Sequence, residues 1–561
     1  MIILGMSLGF NSSVSLWQDN KCLASLSQER VTGVRNTKEV PVYAAKKCFD
    51  IAGMTGNQDI VIALSHYEGL SFKYLEKNFP DCISESDCPK AATPEQWLVD
   101  MVEKATGKTV THIERIEHHT AHAYSAYAVY GKSHKKHTVL TMDGFGDGYS
   151  ARLCVCENKK TEIKAELPLI KSPALYYQFV TGALGFKEHQ HEGKITGLAT
   201  GKYINADDSR ISDAYDFFKE LWTNGTNLKS LDDTEKAMVA ESTIIDFDKF
   251  LQLKKTIYVY VKNRLHDDYS AEKILGHPEA IAIAVAVQIF AEEIVYSFLS
   301  ENRGEITEEL YLAGGMFANV AINRMFGSDY EQVYISPAMG DEGTAIGAAA
   351  CLADEKFWLT DEFHPEYIID GGLPIETALI KNETIVNGLI DSGDNIVHLC
   401  TGRSEFGPRA LMHRSSLFSA TLKRETDKLN HAMHRSEFMP YAPVCKAEDV
   451  DKLFINWKPF EKSLHFMTVA LFTKPGIMEK YPAGVHKDGT CRVQVVHKDV
   501  PCEKQAWDIL DLYKEKSGNY IMVNTSFNMH NEPTCCTKEQ CNSAWERSGG
   551  LGKLYFKTEE R

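Results

Sequence analysis

His118 and His122, in His-His-Thr-Ala-His (118–122), are four residues apart. On a helix that spacing stacks two imidazoles on one face, an arrangement suited to chelating a transition metal. Two histidines do not complete a site. The carboxylates to add are Asp143, at the end of an expected strand, and Asp341, in Gly340-Asp341-Glu342-Gly343. Imidazole with carboxylate suits Fe2+, Mn2+ or Zn2+, and sequence does not choose among them. The plainer alternative is surface or capping histidines, in a chain that has 20 of them.

A second kind of chemistry is marked by glycine beside strand ends. Ala-Gly-Gly-Met-Phe-Ala-Asn (313–319) follows an expected strand and precedes a helix. Gly314 and Gly315 there let backbone N–H groups approach a phosphate or an adenosine, with Asn319 close by; tight strand–helix packing would require the same glycines. Gly-Asp-Glu-Gly-Thr-Ala-Ile-Gly (340–347) repeats the arrangement, and His-Glu-Gly-Lys (191–194) adds Lys194 beside a glycine. None is a Walker loop. Further on, Gly-Arg-Ser-Glu-Phe-Gly-Pro-Arg-Ala-Leu (402–411) sets Arg403 and Arg409 around glycine, Arg414 and Arg435 follow, and Arg492, Asn524 and Ser526 lie in later polar runs. Guanidinium forks grip phosphate oxygens two at a time, so this density points to a polyphosphate or acyl phosphate pocket; solvated arginines in ordinary turns are the alternative.

The elements that must position these groups follow from patterning. Three short strand-like runs open the chain, over 2–7, 13–17 and 21–27, joined by Gly9-Phe10-Asn11 and Asp19-Asn20. A like series returns at 138–142, 149–156 and 162–166, around Asp-Gly-Phe-Gly-Asp-Gly (143–148). Two β-β-β units followed by helical segments predict a duplicated α/β architecture, two lobes around a cleft. The charged stretch of about 203–276 reads as a mostly helical insertion or lid. The pattern loosens after Leu352, which places a boundary near 355 and a separate second domain over 356–561. At 561 residues two or three domains are expected. The net charge of −16 disfavours direct binding to duplex nucleic acid, while leaving room for one local basic pocket. The start of the chain lacks the features of a signal peptide, and Gln288, Glu292 and Glu293 interrupt the most apolar stretch, 280–299, so a buried helix is expected there and no membrane span. Fourteen scattered cysteines without zinc spacing fit a reduced, cytoplasmic protein.

Taken together, the motifs resemble the O-carbamoyltransferase family of the tobramycin, cephamycin and nodulation-factor enzymes. The resemblance rests on HHxAHA at 118–123, AGGxxxN at 313–319, GDEGTAxG at 340–347, EFGPRAL at 405–411, HxDGTxRVQ at 486–494 and NTSFNxxxEP at 524–533, in that order over nearly the whole chain. It implies a duplicated actin-like first domain, similar to the universal tRNA threonylcarbamoyl-transfer enzyme, and a YrdC-like second domain. It further implies that carbamoyl phosphate and ATP, with Mg2+, give carbamoyl-adenylate in the second domain. A metal on His118, His122, Asp143 and Asp341 would then hold the adenylate while an acceptor hydroxyl attacks. On this reading Arg403, Arg409, Arg414, Arg492, Asn524 and Ser526 form the activation pocket, and Lys194, Gly314, Gly315 and Asn319 hold the adenylate. The run 433–440 departs from the family pattern, keeping Arg435, Phe438 and Pro440, with His434 or Lys446 as stand-ins for a lost lysine; Asn531 stands where glycine is usual. An actin-like small-molecule kinase is disfavoured, since Ser7-Leu8-Gly9-Phe10-Asn11 carries no acid. Composition rich in Lys, Asn and Ile leans toward a 5-hydroxymethyl-pyrimidine nucleotide as acceptor, with an antibiotic or sugar hydroxyl as the alternative. A homodimer is allowed.

Overall fold

The computed structural model describes residues 1–65, 93–157, 160–200, 208–224, 247–265, 274, 276–356, 362–390, 393, 395–435 and 439–557. Two five-stranded sheets form the first part. In one, β1 (Ile2–Ser7), β2 (Ser13–Gln18), β3 (Lys21–Ser27), β4 (Asp59–Ser65) and β5 (Thr109–Ile116) lie in the order β3-β2-β1-β4-β5. In the other, β6 (His137–Gly146), β7 (Tyr149–Glu157), β8 (Lys160–Pro168), β9 (Glu309–Ala313) and β10 (Gln332–Ile335) lie in the order β10-β9-β6-β7-β8. Numbered within each sheet, both orders are the same. In both, the first strand pairs antiparallel with the second and parallel with the fourth. The duplication expected from the two hairpin series is therefore present in the topology.

Local chemistry explains the hairpins. Asp19 and Asn20 between β2 and β3, and Asp147 and Gly148 between β6 and β7, all have positive φ. A two-residue turn of that hand matches the twist of the strands it joins, and Asp, Asn and Gly tolerate it best. β1 is buried over its last five residues, as a strand covered on both faces must be, which is why it reads as an almost unbroken apolar run.

Between the sheets, the helices His118–Tyr130 and Glu342–Lys356 pack so closely that a Cβ on Gly347 would meet the Ala121 carbonyl oxygen at 1.8 Å. Gly5 makes the same kind of approach to Ala345. The helix Pro278–Asn302 is long and apolar enough to cross a membrane by length and composition, and most of it is buried within the protein. The helices Ser209–Asn224 and Phe247–Leu265, in the stretch read as an insertion or lid, bury Ala214, Phe218, Ile257 and Val261 in the same core as Ile283 and Phe290. They are walls of the first part rather than a cover over it; residues 203–207, 225–246, 266–273 and 275 of that stretch lie outside the described ones.

The later part of the chain has its own six-stranded sheet. Its strands are β11 (Ile396–Thr401), β12 (Arg414–Ser419), β13 (Pro443–Lys446), β16 (Gln494–Val496), β17 (Met522–Ser526) and β18 (Lys553–Lys557), in the order β16-β13-β17-β12-β11-β18. A separate ribbon pairs β14 (Leu471–Phe472) with β15 (Thr490–Cys491). The two parts are joined along a seam by buried guanidinium and amide contacts. Arg30 donates to the Thr534 and Gly407 carbonyls at 3.1 and 2.8 Å, and Asn323 to the Thr468 carbonyl at 2.6 Å.

Candidate active site

The helix His118–Tyr130 presents His118 and His122 to the ends of two other segments, and its own start is fixed in three places. The Glu117 side chain accepts from the His119 and Thr120 N–H groups, Asp147 of the β6–β7 turn accepts from the His118 N–H at 2.8 Å, and His119 bonds Thr141 at 2.9 Å. The histidine between the two candidate ligands is thus a clamp onto β6. Gly146 leaves room for the His118 ring, since a Cβ there would lie 1.9 Å from it.

His122 Nε2 lies 3.0 Å from Asp143 Oδ2 and 3.7 Å from Asp341 Oδ1, and His118 Nε2 lies 3.9 and 4.0 Å from the same two oxygens. One ligand atom from each of the four residues falls within 4.8 Å of all the others. Both imidazoles are buried. Asp143 Oδ2, Asp341 Oδ1 and His122 Nε2 are sealed from solvent without a hydrogen-bond partner among the described residues. Buried lone pairs converging on one point without donors are costly unless a cation satisfies them, so the four residues fit a metal ion. Burial opposes charge on His122, but the two carboxylates outweigh it and push its pKa up to about 9. Burial likewise opposes charge on Asp143, yet His122 and the Gly144 and Gly315 N–H groups hold it down at about 2.

Gly314 and Gly315 belong to this cluster's scaffold. Gly314 has φ +105° and lies against the backbone of Met142, where a Cβ would come within 2.1 Å of the carbonyl oxygen; a Cβ on Gly315 would lie 2.9 Å from Asp143 Oδ1. The structure thus shows these glycines serving close backbone packing beside Asp143. Asn319 accepts from the Ala321 and Ile322 N–H groups at the start of the helix Val320–Arg324 and donates to Gln288 at 2.8 Å, so its side chain is occupied as a cap.

A cavity of about 280 Å3 opens along the seam. Lys194, Arg35 and Arg324 line it from the first part, and Arg409 and Arg492 from the second, with Asp488 the one carboxylate on its wall among the described residues. It adjoins a cavity of about 250 Å3 that shares Arg35, Arg409 and Arg492 and adds Arg435, Asn524 and Ser526. Arg409 Nε is sealed without a hydrogen-bond partner among the described residues, while its Nη2 reaches the Ala318 carbonyl at 3.5 Å. Burial and then the neighbouring Arg492 press its pKa far down, and Glu342 works the other way. Because a guanidinium does not give up its proton in a protein, such a position favours a bound anion. Asn524 Oδ1 is a further buried atom without a hydrogen-bond partner among the described residues, and Ser526 donates to Asn528 at 2.6 Å.

Two of the expected pocket arginines lie elsewhere. Arg403 donates to the Gly372, Gly371 and Leu23 carbonyls and ties the two parts together. Arg414 is fully buried and spends its guanidinium on the Thr401, His413, Leu373, Gly402 and Cys536 carbonyls. Neither lines the cavities, because backbone oxygens consume their donors. Lys446 pairs with Asp511 at 2.5 Å and His434 is exposed, so neither replaces a pocket lysine. Arg435 holds the Ser526 and Asn528 carbonyls. Of the departing run, Ser436, Glu437 and Phe438 lie outside the described residues. Arg35, Arg324, His191 and His530 were not singled out for the cavity by sequence reasoning. His191 and His530 stand in runs read for other residues, Arg35 and Arg324 in runs without a phosphate-binding pattern, and the four meet only through the fold.

A duplicated α/β part whose buried cluster fits a cation is thus joined to a second part across a cavity lined by cationic side chains. The chain belongs to the carbamoyltransferase family: residues 2–351 match the carbamoyltransferase N-terminus and residues 389–556 the carbamoyltransferase C-terminus. It is similar to an uncharacterised protein of Methanocaldococcus jannaschii, 26% identical with 96% of this chain and 95% of that one aligned. It is also similar to the nodulation protein NolNO of Sinorhizobium fredii, 25% identical over 92% of this chain and 74% of that one. The 3′-hydroxymethylcephem-O-carbamoyltransferase of Amycolatopsis lactamdurans is 27% identical over 44% of this chain and 48% of its own length. The protein is an enzyme that transfers carbamoyl groups.

Proposed function

We propose that the enzyme is an ATP-dependent O-carbamoyltransferase working in two half-reactions. In the first, in a YrdC-like second part, carbamoyl phosphate and ATP give carbamoyl-adenylate. That product carries only the phosphate of AMP. The phosphate of carbamoyl phosphate therefore leaves as orthophosphate by hydrolysis, and the resulting carbamate oxygen displaces pyrophosphate from the α-phosphorus. In the second, an acceptor hydroxyl attacks the carbamoyl carbon, AMP departs, and the hydroxyl proton passes to solvent or to a base. A carbamate is a poor electrophile, and adenylation gives it a leaving group. The observation that carries this reading is the cationic cavity on the seam, walled by Lys194 and Arg35 on one side and Arg409 and Arg492 on the other.

The chain's own groups divide the work. Arg409 and Arg492 counter phosphate charge and orient the polyphosphate, with Mg2+ accompanying ATP; Asn524 and Ser526 line the same space. Lys194 faces the cavity from the first part and would hold the adenylate phosphate as it crosses the seam. His118, His122, Asp143 and Asp341 would hold a divalent ion, Fe2+, Mn2+ or Zn2+, whose chemistry is to neutralise phosphate charge as AMP departs. Enclosure between the two parts would shield the mixed anhydride, once formed, from water.

For the acceptor, the reading is a 5-hydroxymethyl-pyrimidine nucleotide, supported by composition alone, with an antibiotic or sugar hydroxyl as the alternative. The test is incubation with ATP, carbamoyl phosphate and a panel of hydroxyl acceptors, following AMP, pyrophosphate and product mass. Carbamoylated 5-hydroxymethyl-dCMP, with AMP and pyrophosphate formed in equal amounts, is the expected outcome. Carbamoylation of sugars alone ends the nucleotide reading, and transfer without AMP formation ends the adenylate.

A further inference from the structure

No step above draws on His189, whose neighbours reach both the cation-accepting cluster and the anion cavity. Gln190 and His191, which follow it, line the cavity, and Asn36, which donates to its carbonyl at 3.4 Å, follows Arg35 of the same wall. The Phe10 ring lies 4.8 Å from its own, and Asn11, next to Phe10, donates to Glu342, the residue after Asp341. His189 is exposed, yet it is firmly held. Its φ is +62°, a conformation that a residue other than glycine keeps only where several contacts impose it. Its N–H donates to Glu192 at 2.6 Å, and its ring Nε2 lies 3.1 Å from the Gln178 side-chain nitrogen.

The direction of that last bond is set by a chain of groups behind it. Tyr258 donates to Glu188 at 2.5 Å and Lys254 pairs with it at 2.7 Å, which keeps Glu188 a carboxylate that only accepts. Gly182 makes room for this contact, since a Cβ there would lie 2.1 Å from the Tyr258 hydroxyl. Glu188 accepts from the Gln178 side chain at 2.9 Å, so the Gln178 atom between Glu188 and His189 is its amide nitrogen. The second N–H of that amide donates to the ring. His189 Nε2 therefore offers the lone pair, and Nδ1 carries the hydrogen. Nδ1 has no hydrogen-bond partner among the described residues. Desolvation by the surrounding protein is the foremost influence on the ring and lowers its pKa; Glu188, Asp341 and Asp143 oppose it and Lys38 assists.

We infer that His189 is a catalytic residue of carbamoyl transfer, donating from Nδ1–H to the carbamoyl carbonyl oxygen, with Gln178 as the positioning residue that fixes its tautomer. As the acceptor oxygen bonds to the carbonyl carbon, negative charge gathers on the carbonyl oxygen, and an N–H already aimed there stabilises it. A ring whose other nitrogen accepts from Gln178 has no lone pair for the acceptor's proton, so His189 serves as donor and not as base. The inference rests on the transfer half of the proposed function and not on how the carbamoyl group is activated.

The test is carbamoyl transfer by the full chain to 5-hydroxymethyl-dCMP, or to the hydroxyl acceptor that the panel returns in its place, with pyrophosphate release followed in parallel. His189→Ala should lower kcat for transfer on the order of 10²–10³-fold, as loss of one such donor does, with pyrophosphate release changed less than about threefold. His189→Gln, whose amide N–H can stand in for the ring, should recover at least about tenfold over the alanine variant; a lost base would not be restored in this way. Gln178→Leu frees the ring to take the other tautomer and should lower kcat about tenfold while KM for the acceptor moves less than about twofold. Transfer at the parent rate in His189→Ala, equal loss in the glutamine and alanine variants, or equal loss of pyrophosphate release would each overturn the inference. Transfer without AMP formation would end the adenylate and leave this role of His189 standing.

Discussion

His122 and His191 belong to the same part of the chain and sit in fields of opposite sign. Around His122, two buried carboxylates outweigh burial and raise the imidazole to about 9. Around His191, burial first and then Lys194, His530 and Arg35 lower it to about 4. The first region gathers two carboxylates around a buried imidazole pair, and the second has gathered donors with few acceptors. The first fits a cation and the second an anion. Sites with such unbalanced charge are where function is found in preference to stability.

The largest expected effect comes from removing a group from one region and reading both half-reactions. His122→Ala should cut carbamoyl transfer to the acceptor by on the order of 10²–10³-fold or more, as loss of a key charge-stabilising element does. Pyrophosphate release from ATP with carbamoyl phosphate should fall less than about threefold, measured on the same preparation. Equal loss in both assays would mean that the two regions act as one site.

Arginine supplies the next contrast. Arg409→Ala should lower pyrophosphate release by about 10²-fold, because truncating one member of a desolvated charge contact costs about 2–5 kcal/mol. The ligand-free protein should keep or raise its unfolding temperature, since a guanidinium pressed against Arg492 is removed. Arg414→Ala should do the reverse to stability, lowering it by about 2–5 kcal/mol, because several buried carbonyls lose their donors at once. Thermal unfolding of the two variants beside pyrophosphate assays separates a ligand-facing arginine from a structural one.

That contrast also marks how far the amino-acid sequence could be read. The cluster was legible because its spacing is local chemistry: HxxxH sets two imidazoles on one helix face, and Asp341 lies in the turn before a helix, whereas Asp143, expected at a strand end, lies within β6, three residues before its end. The duplicated sheets were legible from two hairpin series with the turn residues those hairpins need. The pocket was legible only in part. Arg403, Arg409 and Arg414 fall within twelve residues of one another, and nothing in their spacing tells which guanidinium will be consumed by carbonyls that the fold brings from Leu23, Leu373 or Cys536. Arg35, His191, Arg324 and His530 are scattered over almost five hundred residues, and only tertiary packing brings them to one wall. Glycine proved ambiguous for the same reason. Gly314 and Gly347 answer to neighbouring backbone, which demands the same absent side chain as a phosphate would.

The smallest expected effect tests the comparison through its protons. His191 is neutral at pH 7, since burial first and then the cations around it lower its pKa to about 4. An anion in the cavity cancels part of that field and raises the folded-state pKa toward the ordinary value of about 6.5. Binding must then take up a proton between those two values, so the anion binds more tightly as pH falls from 7 toward 5. The groups facing His191 are Lys194, His530, Arg35 and Asn531. Sulfate is the appropriate probe, since its charge is constant there. Its affinity should rise a few-fold over the interval in the parent protein and less in His191→Gln, with His530→Gln apportioning the remainder. At the cation-accepting cluster the sign is opposite. His122 carries its proton until pH approaches 9, so a divalent ion must displace it, and the ion's affinity should fall over the interval in which sulfate's rises. Parallel pH dependences for the two ligands would show that the regions do not differ in field as described.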